Sequence, residues 1–421
     1  MVEMRKPIPV EEAIRKVMDY RLQGRKEMIP INESDYRRLA EPIIAKHHIP
    51  SFDKSPYDGF ALRSVDTAEA SRENTVEFEV IEHIGAGQVP LKMLEAGQAT
   101  RIMTGAKIPE GADCVAMFEI CKAYEKGNKP FVSIKRRMNK DQNIIKEGSE
   151  VVKGETMIEE GTLINPGVKA LLATFGYHEV EVAKKPIIGV VATGTELLEI
   201  DEELQPGKIR NSNAPMIASQ IKKAGGICKY YGKLADEFEP SYQVIKEALD
   251  EVDILITTGG VSVGDFDLMP DIYEKLSAEV LFNKIAMRPG SVTTAAVKDN
   301  QLLFGLSGNP SACYVGFELF VRPIIQHALF NKKPYLKRIK ALLADEFPKP
   351  NPFTRFVRSY MSHEGTSVKV HLAGIDKSNV VSSLAQTTCF MVLPGGTRGF
   401  EPGEEVEALL IDDLEGQKDF F

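Results

Sequence analysis

Between residues 181 and 330 the sequence alternates wholly apolar runs with amphipathic ones, and that rhythm leaves few architectures open. "PIIGVVATG" reads as a buried strand, "NAPMIASQIKKAGG" as a helix closed by glycine, and "ICKYYGKLAD" as a strand. "EPSYQVIKEALDEV" follows as a helix and "DILITTGG" as a second apolar strand. "LLFGLSGNP" adds a strand, and "PSACYVGFELFVRPIIQHAL" a long helix opened by Pro310. Strands apolar on both faces and separated by helices need crossover connections. The expectation is a parallel sheet with helices on both faces.

The flanking sequence has a different texture. "VEEAIRKVMDYRL" (10–22) puts Val10, Ala13, Ile14, Val17 and Met18 on one helical face. "SDYRRLA" predicts a second, short helix with Ser34 as its cap, ending before Pro42. "NPGVKALLATFG" predicts a helix stopped at Gly176. Residues 1–45 and 146–180 are therefore expected to pair as a helical or mixed N-terminal domain. Residues 46–145, with short alternating runs such as "VEFEVIEHI" and "FVSIKRR" between turn signals, read as an inserted β module. Residues 331–421 contain "FTRFVRSYMS", "SVKVHLAG", "CFMVLPGG" and "EEVEALLI", the pattern of a small β-barrel or sandwich. The fold class is multidomain, α/β plus β.

Charge and cysteine usage narrow the function classes. Lys and Arg total 52 against 60 Asp and Glu, a net charge of -8, which argues against a nucleic-acid binder. Five cysteines without a CxxC pair fit a reducing compartment better than a disulfide framework or zinc site. The segment "MVEMRKPIPVEEAIRK" lacks an apolar signal core, and no stretch reaches the ~18 apolar residues of a membrane span. A soluble, cytoplasmic protein with no membrane partner is expected. The tandem His47-His48, with no third ligand nearby, reads as surface.

Ligands of parallel sheets bind beyond the carboxyl ends of the strands. Three loops leave such ends here: "ATGTEL" (192–197), "TTGGVSVGDFD" (257–267) and "GLSGNPSA" (305–312). Thr193, Gly194, Gly259, Gly260, Ser262 and Gly264 supply backbone freedom and hydroxyls. Ser307, Gly308, Asn309 and Pro310 lead into a helix N-terminus, which favours anions. None of the loops matches GxxxxGK[ST] or GxGxxG, so neither a P-loop nor a dinucleotide fingerprint is present. Glu196, Asp236, Asp265 and Asp267 all follow expected strands. Carboxylates beside an anionic ligand imply a hard cation between them, and Mg²⁺ takes such oxygens. Asp265 alone reads as a solvated strand-end charge. Lys284 and Arg288 in "NKIAMRPGS" supply positive charge directly. The β module adds "SPYDGFAL" with Asp58 and "RIMTGAKIPEGADCV" with Thr104 and Asp113, unremarkable as turn chemistry alone.

Taken in order, "SPYDGFAL", "RIMTGAKIPEGADCV", "ATGTEL", "GGVSVGDFD" and "GLSGNP" resemble the MoeA/gephyrin E-domain family over essentially the whole chain. That family comprises the molybdopterin molybdenumtransferases. The resemblance implies a MoaB-like α/β domain at 181–330 and a C-terminal β-barrel. It also implies insertion of molybdate into adenylylated molybdopterin, with Mg²⁺-assisted release of AMP. By the same resemblance Asp58, Thr104, Glu196, Asp236, Asp267, Lys284 and Arg288 are the catalytic set. Glu196, Asp236 and Asp267 would hold the metal, and Glu150 would be a further acid of the substrate site. An elongated homodimer with sites shared between subunits is implied as well.

Two positions depart from the common family pattern. Ser291 stands where many members carry a second lysine, and Ser307 where many carry proline. Two rival functions remain on this reading. One is an adenylyltransferase that acts on molybdopterin with ATP, which would need only the α/β domain. The other is a scaffold that binds a partner beside the C-terminal barrel.

Overall fold

The apolar runs of the α/β region assemble into one six-stranded sheet in the computed structural model, which describes residues 6–234, 237–259, 268–414 and 416–420. Its strands are β1 (Ile187–Thr193), β2 (Ile227–Leu234), β3 (Ile254–Thr258), β4 (Glu279–Phe282), β5 (Thr294–Lys298) and β6 (Gln301–Leu306). The order across the sheet is β2-β1-β3-β6-β5-β4. The first four are parallel. β5 runs antiparallel to both of its neighbours, β6 and β4, which the sequence expectation of a parallel sheet omitted. The cause is local: Asp299 and Asn300 both take left-handed φ values, 51° and 66°, and fold β5 back onto β6 as a tight hairpin without a crossover.

Strand β3 shows why its sequence is apolar throughout. Ile254 and Ile256 enter one hydrophobic cluster with Ile217 and Ile221 of the helix Asn213–Lys223. Leu255 enters another with Ile245 and Ala248 of the helix Phe238–Leu249. Both faces are covered, as a central parallel strand requires. The helix Val10–Asp19 buries Val10, Ala13, Ile14 and Val17 in the first cluster. The run after β6 is not one uniform helix. It is α-helical over Pro310–Gly316, π-helical over Phe317–Val321 and α-helical again over Arg322–Ala328. Pro323 offers no N–H to the preceding turn, so the ladder widens just before it.

The chain divides into two units, one of Met1–Glu41, Glu160–Lys169 and His178–Phe421, the other of Pro42–Glu159 and Ala170–Tyr177. The first unit also carries a closed five-stranded barrel. Thr354–Glu364 pairs with both Ser367–Leu372 and Cys389–Leu393, and Lys337–Leu343 and Glu405–Leu410 complete the ring. The expected helix over "SDYRRLA" does not form. The hydroxyl of Ser34 donates back to the carbonyl of Ile31 (2.7 Å), closing the 3-10 turn Ile31–Glu33 instead of accepting from N–H groups ahead of it. Tyr36 then takes a φ of 57°, and Leu39 bridges to Val182.

The second unit is built on a six-stranded sheet in the order Cys114–Met117, Gly59–Leu62, Gln98–Ile102, Val76–Ile84, Lys129–Ile134, Cys121–Lys126. Phe60, Leu62, Phe78, Val132 and Ile134 fill its core. Among the described residues no helix is long and apolar enough to cross a membrane.

Candidate active site

Parallel pairing brings three of the glycine-bearing loops side by side. Ala192 of β1 faces Thr258 of β3, and Thr258 faces Leu306 of β6, so all three strands end on the same edge. The hydroxyl of Thr193 donates to the carbonyl of Thr258 (3.3 Å), and the N–H of Gly259 donates to the carbonyl of Leu306 (3.0 Å). Gly259 has a φ of 93°, and a Cβ there would lie 2.5 Å from the carbonyl oxygen of Thr193. Only glycine lets these loops approach so closely. The Cα of Gly259 lies 3.6 Å from the point where a Cβ of Gly308 would be, so the third loop closes on the second. Ser307 is buried, and its hydroxyl accepts from the N–H of Asn309 (3.2 Å). Gly260, Ser262, Gly264, Asp265, Asp267 and Asp236 lie outside the described residues.

One participant escaped the sequence reading. Asn213, at the start of its helix, donates its side-chain amide to the carbonyl of Gly308 (2.9 Å). Its own Oδ1 is buried without a partner among the described residues. A buried acceptor left unpaired costs about 1–3 kcal/mol, so a donor supplied by a ligand would be favoured beside it. The residue type alone carried no signal, since Asn before an amphipathic run ordinarily reads as a cap.

Arg288 lies in a short bridge of this unit, and half-buried Lys284 precedes it, its carbonyl accepting from the N–H of Ile8 (3.1 Å). Met287–Arg288 pairs in parallel with Thr354–Arg355, which sets Arg288 in register with Arg355. Both arginines line a pocket of about 230 Å³ together with Ser291, Asp376 and Lys377. Arg355 is tied to Asp376 (2.7 Å) and to Asn351 (2.7 Å). Arg288 is exposed and has no side-chain partner among the described residues, so it is free to meet an anion. Ser311, in the first turn after Pro310, bonds across to Ser378 and Val380 near this pocket. Arg355 was invisible in "FTRFVRSYMS", because only the register with Arg288 brings it here.

In the second unit, Asp58 and Thr104 meet. The Oδ1 of Asp58 accepts from both the backbone N–H (2.7 Å) and the hydroxyl (2.9 Å) of Thr104. The backbone donor first, then the hydroxyl, hold the Asp58 carboxyl below the usual carboxylate range. Its Oδ2 is left without a partner among the described residues and is open to solvent. Gly59 makes the geometry possible: a Cβ there would lie 2.1 Å from the carbonyl oxygen of Ala116. Asp113 instead receives the N–H and hydroxyl of Ser64 and serves as a structural turn. Glu150 is exposed and shares no hydrogen bond with Asp58 or Thr104. His47 packs on Phe175, and Nδ1 of His48 accepts from the N–H of Lys153 (3.1 Å).

Of the three acids expected to hold a metal, Glu196 is described. It is exposed, and its carboxylate has no partner among the described residues. Unpaired oxygens at a strand's carboxyl end suit a hard cation such as Mg²⁺. No group of three His, Cys, Asp or Glu able to hold an ion occurs among the described residues.

Comparison with known proteins converges with this architecture. Family models match in chain order: the MoeA N-terminal region (domain I and II) over 8–176, a probable molybdopterin binding domain over 189–327, and the MoeA C-terminal region (domain IV) over 340–411. The molybdopterin molybdenumtransferase of Bacillus subtilis (strain 168) is 57% identical over 418 residues, 99% of this chain and 97% of that one. Two crystal structures of a molybdopterin biosynthesis MoeA protein from Pyrococcus horikoshii are similar, with TM-scores of 0.86 and 0.80 at 29% and 30% identity. They cover 97% and 96% of this chain and 100% of their own. With all three regions present in sequence and the fold shared along its length, the chain belongs to the MoeA family.

Proposed function

We propose that this chain is a molybdopterin molybdenumtransferase that joins molybdate to the dithiolene of adenylylated molybdopterin and releases AMP. The observation that carries the reading is the convergence of Thr193, Gly259 and Gly308 on one carboxyl edge, in a member of this family. On this reading the backbone of Thr193, Gly194, Gly259, Ser307, Gly308 and Asn309 cradles the pterin and its phosphates. Gly260, Ser262, Gly264 and Pro310 extend the same cradle. Lys284 and Arg288 neutralise the incoming oxyanion, with Arg355 beside Arg288. Asp58, kept ionised by Thr104, presents Oδ2 as an acceptor for a substrate N–H or a water. Glu150 adds a carboxylate to the substrate side.

Mg²⁺, held by Glu196 with Asp236 and Asp267, would offset the phosphate charge and polarise the bond to the leaving AMP. We place the working form as a homodimer whose sites take Asp58 and Thr104 from one subunit and the α/β loops from the other. The cytoplasm is the compartment that suits its five free cysteines. The test is AMP release from adenylylated molybdopterin with Mg²⁺ present. Release should depend on added molybdate, with no consumption of ATP. Release independent of molybdate, or turnover of ATP with free molybdopterin, would overturn the reading.

A further inference from the structure

A second basic cavity, of about 420 Å³, lies elsewhere in the first unit. Its wall carries Arg37, Arg38, Lys185, Lys222, Lys223 and Arg322, and among the described residues Asp35 is its only acid. The helix Asn213–Lys223 separates it from the candidate active site. Asn213 bonds Gly308 at one end, and Lys222 and Lys223 line the cavity at the other. At 1.5 Å rise per residue that helix spans about 15 Å. The two sites are distinct.

Most cations of a folded protein have a local reason to be where they are, and several of these have partners. Arg37 pairs with Glu27 (2.5 Å), and Lys223 pairs with Asp412. Asp35 is engaged by Lys169 (2.9 Å), which lies outside the cavity lining. Arg322, 8% exposed, donates to the carbonyls of Pro334 (3.2 Å) and Asp413 (3.5 Å) and has Glu318 at 3.7 Å, but burial pushes the Glu318 carboxyl up and weakens it as a counter-charge. Arg38 donates only to neutral carbonyls, those of Gly161 (2.8 Å) and Leu414 (3.0 Å), and to the amide of Gln326 at 3.5 Å. Burial, with Arg322 adding to it, brings the Arg38 guanidinium down to about 10. Lys185 and Lys222 have no carboxylate in reach among the described residues. Stapling of Gly161 to Leu414 accounts for Arg38 alone. It leaves two free lysines and a sizeable cavity unexplained, in a molecule whose net charge is -8.

We propose that this cavity binds a phosphorylated small molecule, with its phosphate held by Arg38 and Arg322 and its negative charge met by Lys185 and Lys222. Guanidinium groups suit phosphate because their N–H forks match its oxygens. The volume falls within the range of small-molecule sites and exceeds what a lone phosphate fills.

Inorganic pyrophosphate is a suitable probe, titrated calorimetrically against the whole protein at matched ionic strength. Saturable binding is expected. The double variant Lys185→Glu/Lys222→Glu should weaken it by about tenfold or more, since each charge-assisted bond is worth at least that factor. Neither lysine holds another side chain, so this variant should keep its melting temperature and its AMP release. The variant Lys284→Ala/Arg288→Ala should still bind the probe. The proposal falls if no saturable binding is seen, or if sodium chloride at equal ionic strength abolishes it. It falls equally if binding survives in Lys185→Glu/Lys222→Glu and disappears only in Lys284→Ala/Arg288→Ala.

Discussion

Asp58 and Thr104 stand 46 residues apart, and what joins them is the strand register that sets Gly59 opposite Ile102. Nothing in either loop's turn chemistry foretold the pair; only the family resemblance singled out both residues. Arg355 and Asn213 were not legible at all, because their roles depend on tertiary neighbours with no local pattern. The Asp58 carboxyl is depressed, first by the Thr104 N–H and then by its hydroxyl. The stabilisation this brings is therefore present above the ordinary aspartate value, and it is lost as pH falls through the depressed one. Thr104→Val keeps the N–H and removes the hydroxyl, so the Asp58 titration should move part of the way back up. A carboxyl-carbon NMR titration unchanged by Thr104→Val would remove the hydroxyl from this role. Asp58→Asn should lower AMP release about 100-fold with little change in melting temperature. Ser291 lines the pocket of Arg288 and Arg355, so Ser291→Lys should lower the molybdate needed for half-maximal activity. Equal molybdate dependence in the two proteins would put position 291 outside oxyanion capture.

At the scale of elements, β1, β3 and β6 were readable because burial on both faces keeps them almost wholly apolar, and the helices because burial on one face gives a helical period. Turns were less readable. Asp299-Asn300 makes a hairpin, and Ser34 closes a 3-10 turn where a helix cap was expected. Both outcomes rest on where one or two residues send their φ angles or hydroxyls, which periodicity does not encode. The loop after β3 is where element geometry and ligand binding coincide. Gly259→Ala places a Cβ 2.5 Å from the Thr193 carbonyl in a backbone with φ of 93°. The strain should cost about 1–3 kcal/mol. At roughly 2–4 °C per kcal/mol the melting temperature should fall by several degrees. Displacement of the loop should also weaken binding of adenylylated molybdopterin. A variant with wild-type melting and wild-type affinity would show that this close approach is not required.

For the molecule as a whole, the separation of the candidate residues into two units sets the sharpest test. Asp58 and Thr104 belong to one unit; Thr193, Glu196, Gly259, Lys284, Arg288 and Ser307 belong to the other. If every subunit completed its own site, an Asp58→Ala subunit and a Lys284→Ala subunit would each be inactive, and mixing them would change nothing. If sites are shared across a homodimer, a mixed dimer holds one site carrying both lesions and one carrying neither. Mixing at equal concentrations, with random exchange, makes about half of the dimers mixed, each with one intact site. About a quarter of wild-type AMP release should then return, and it should rise with the rate of subunit exchange. Exchange is followed independently by energy transfer between labelled subunits, so failure to exchange is not mistaken for failure to complement. Complete exchange without recovery would assign each site to a single chain and remove the shared-site arrangement, while leaving the α/β cradle and the Asp58–Thr104 pair where the structure puts them.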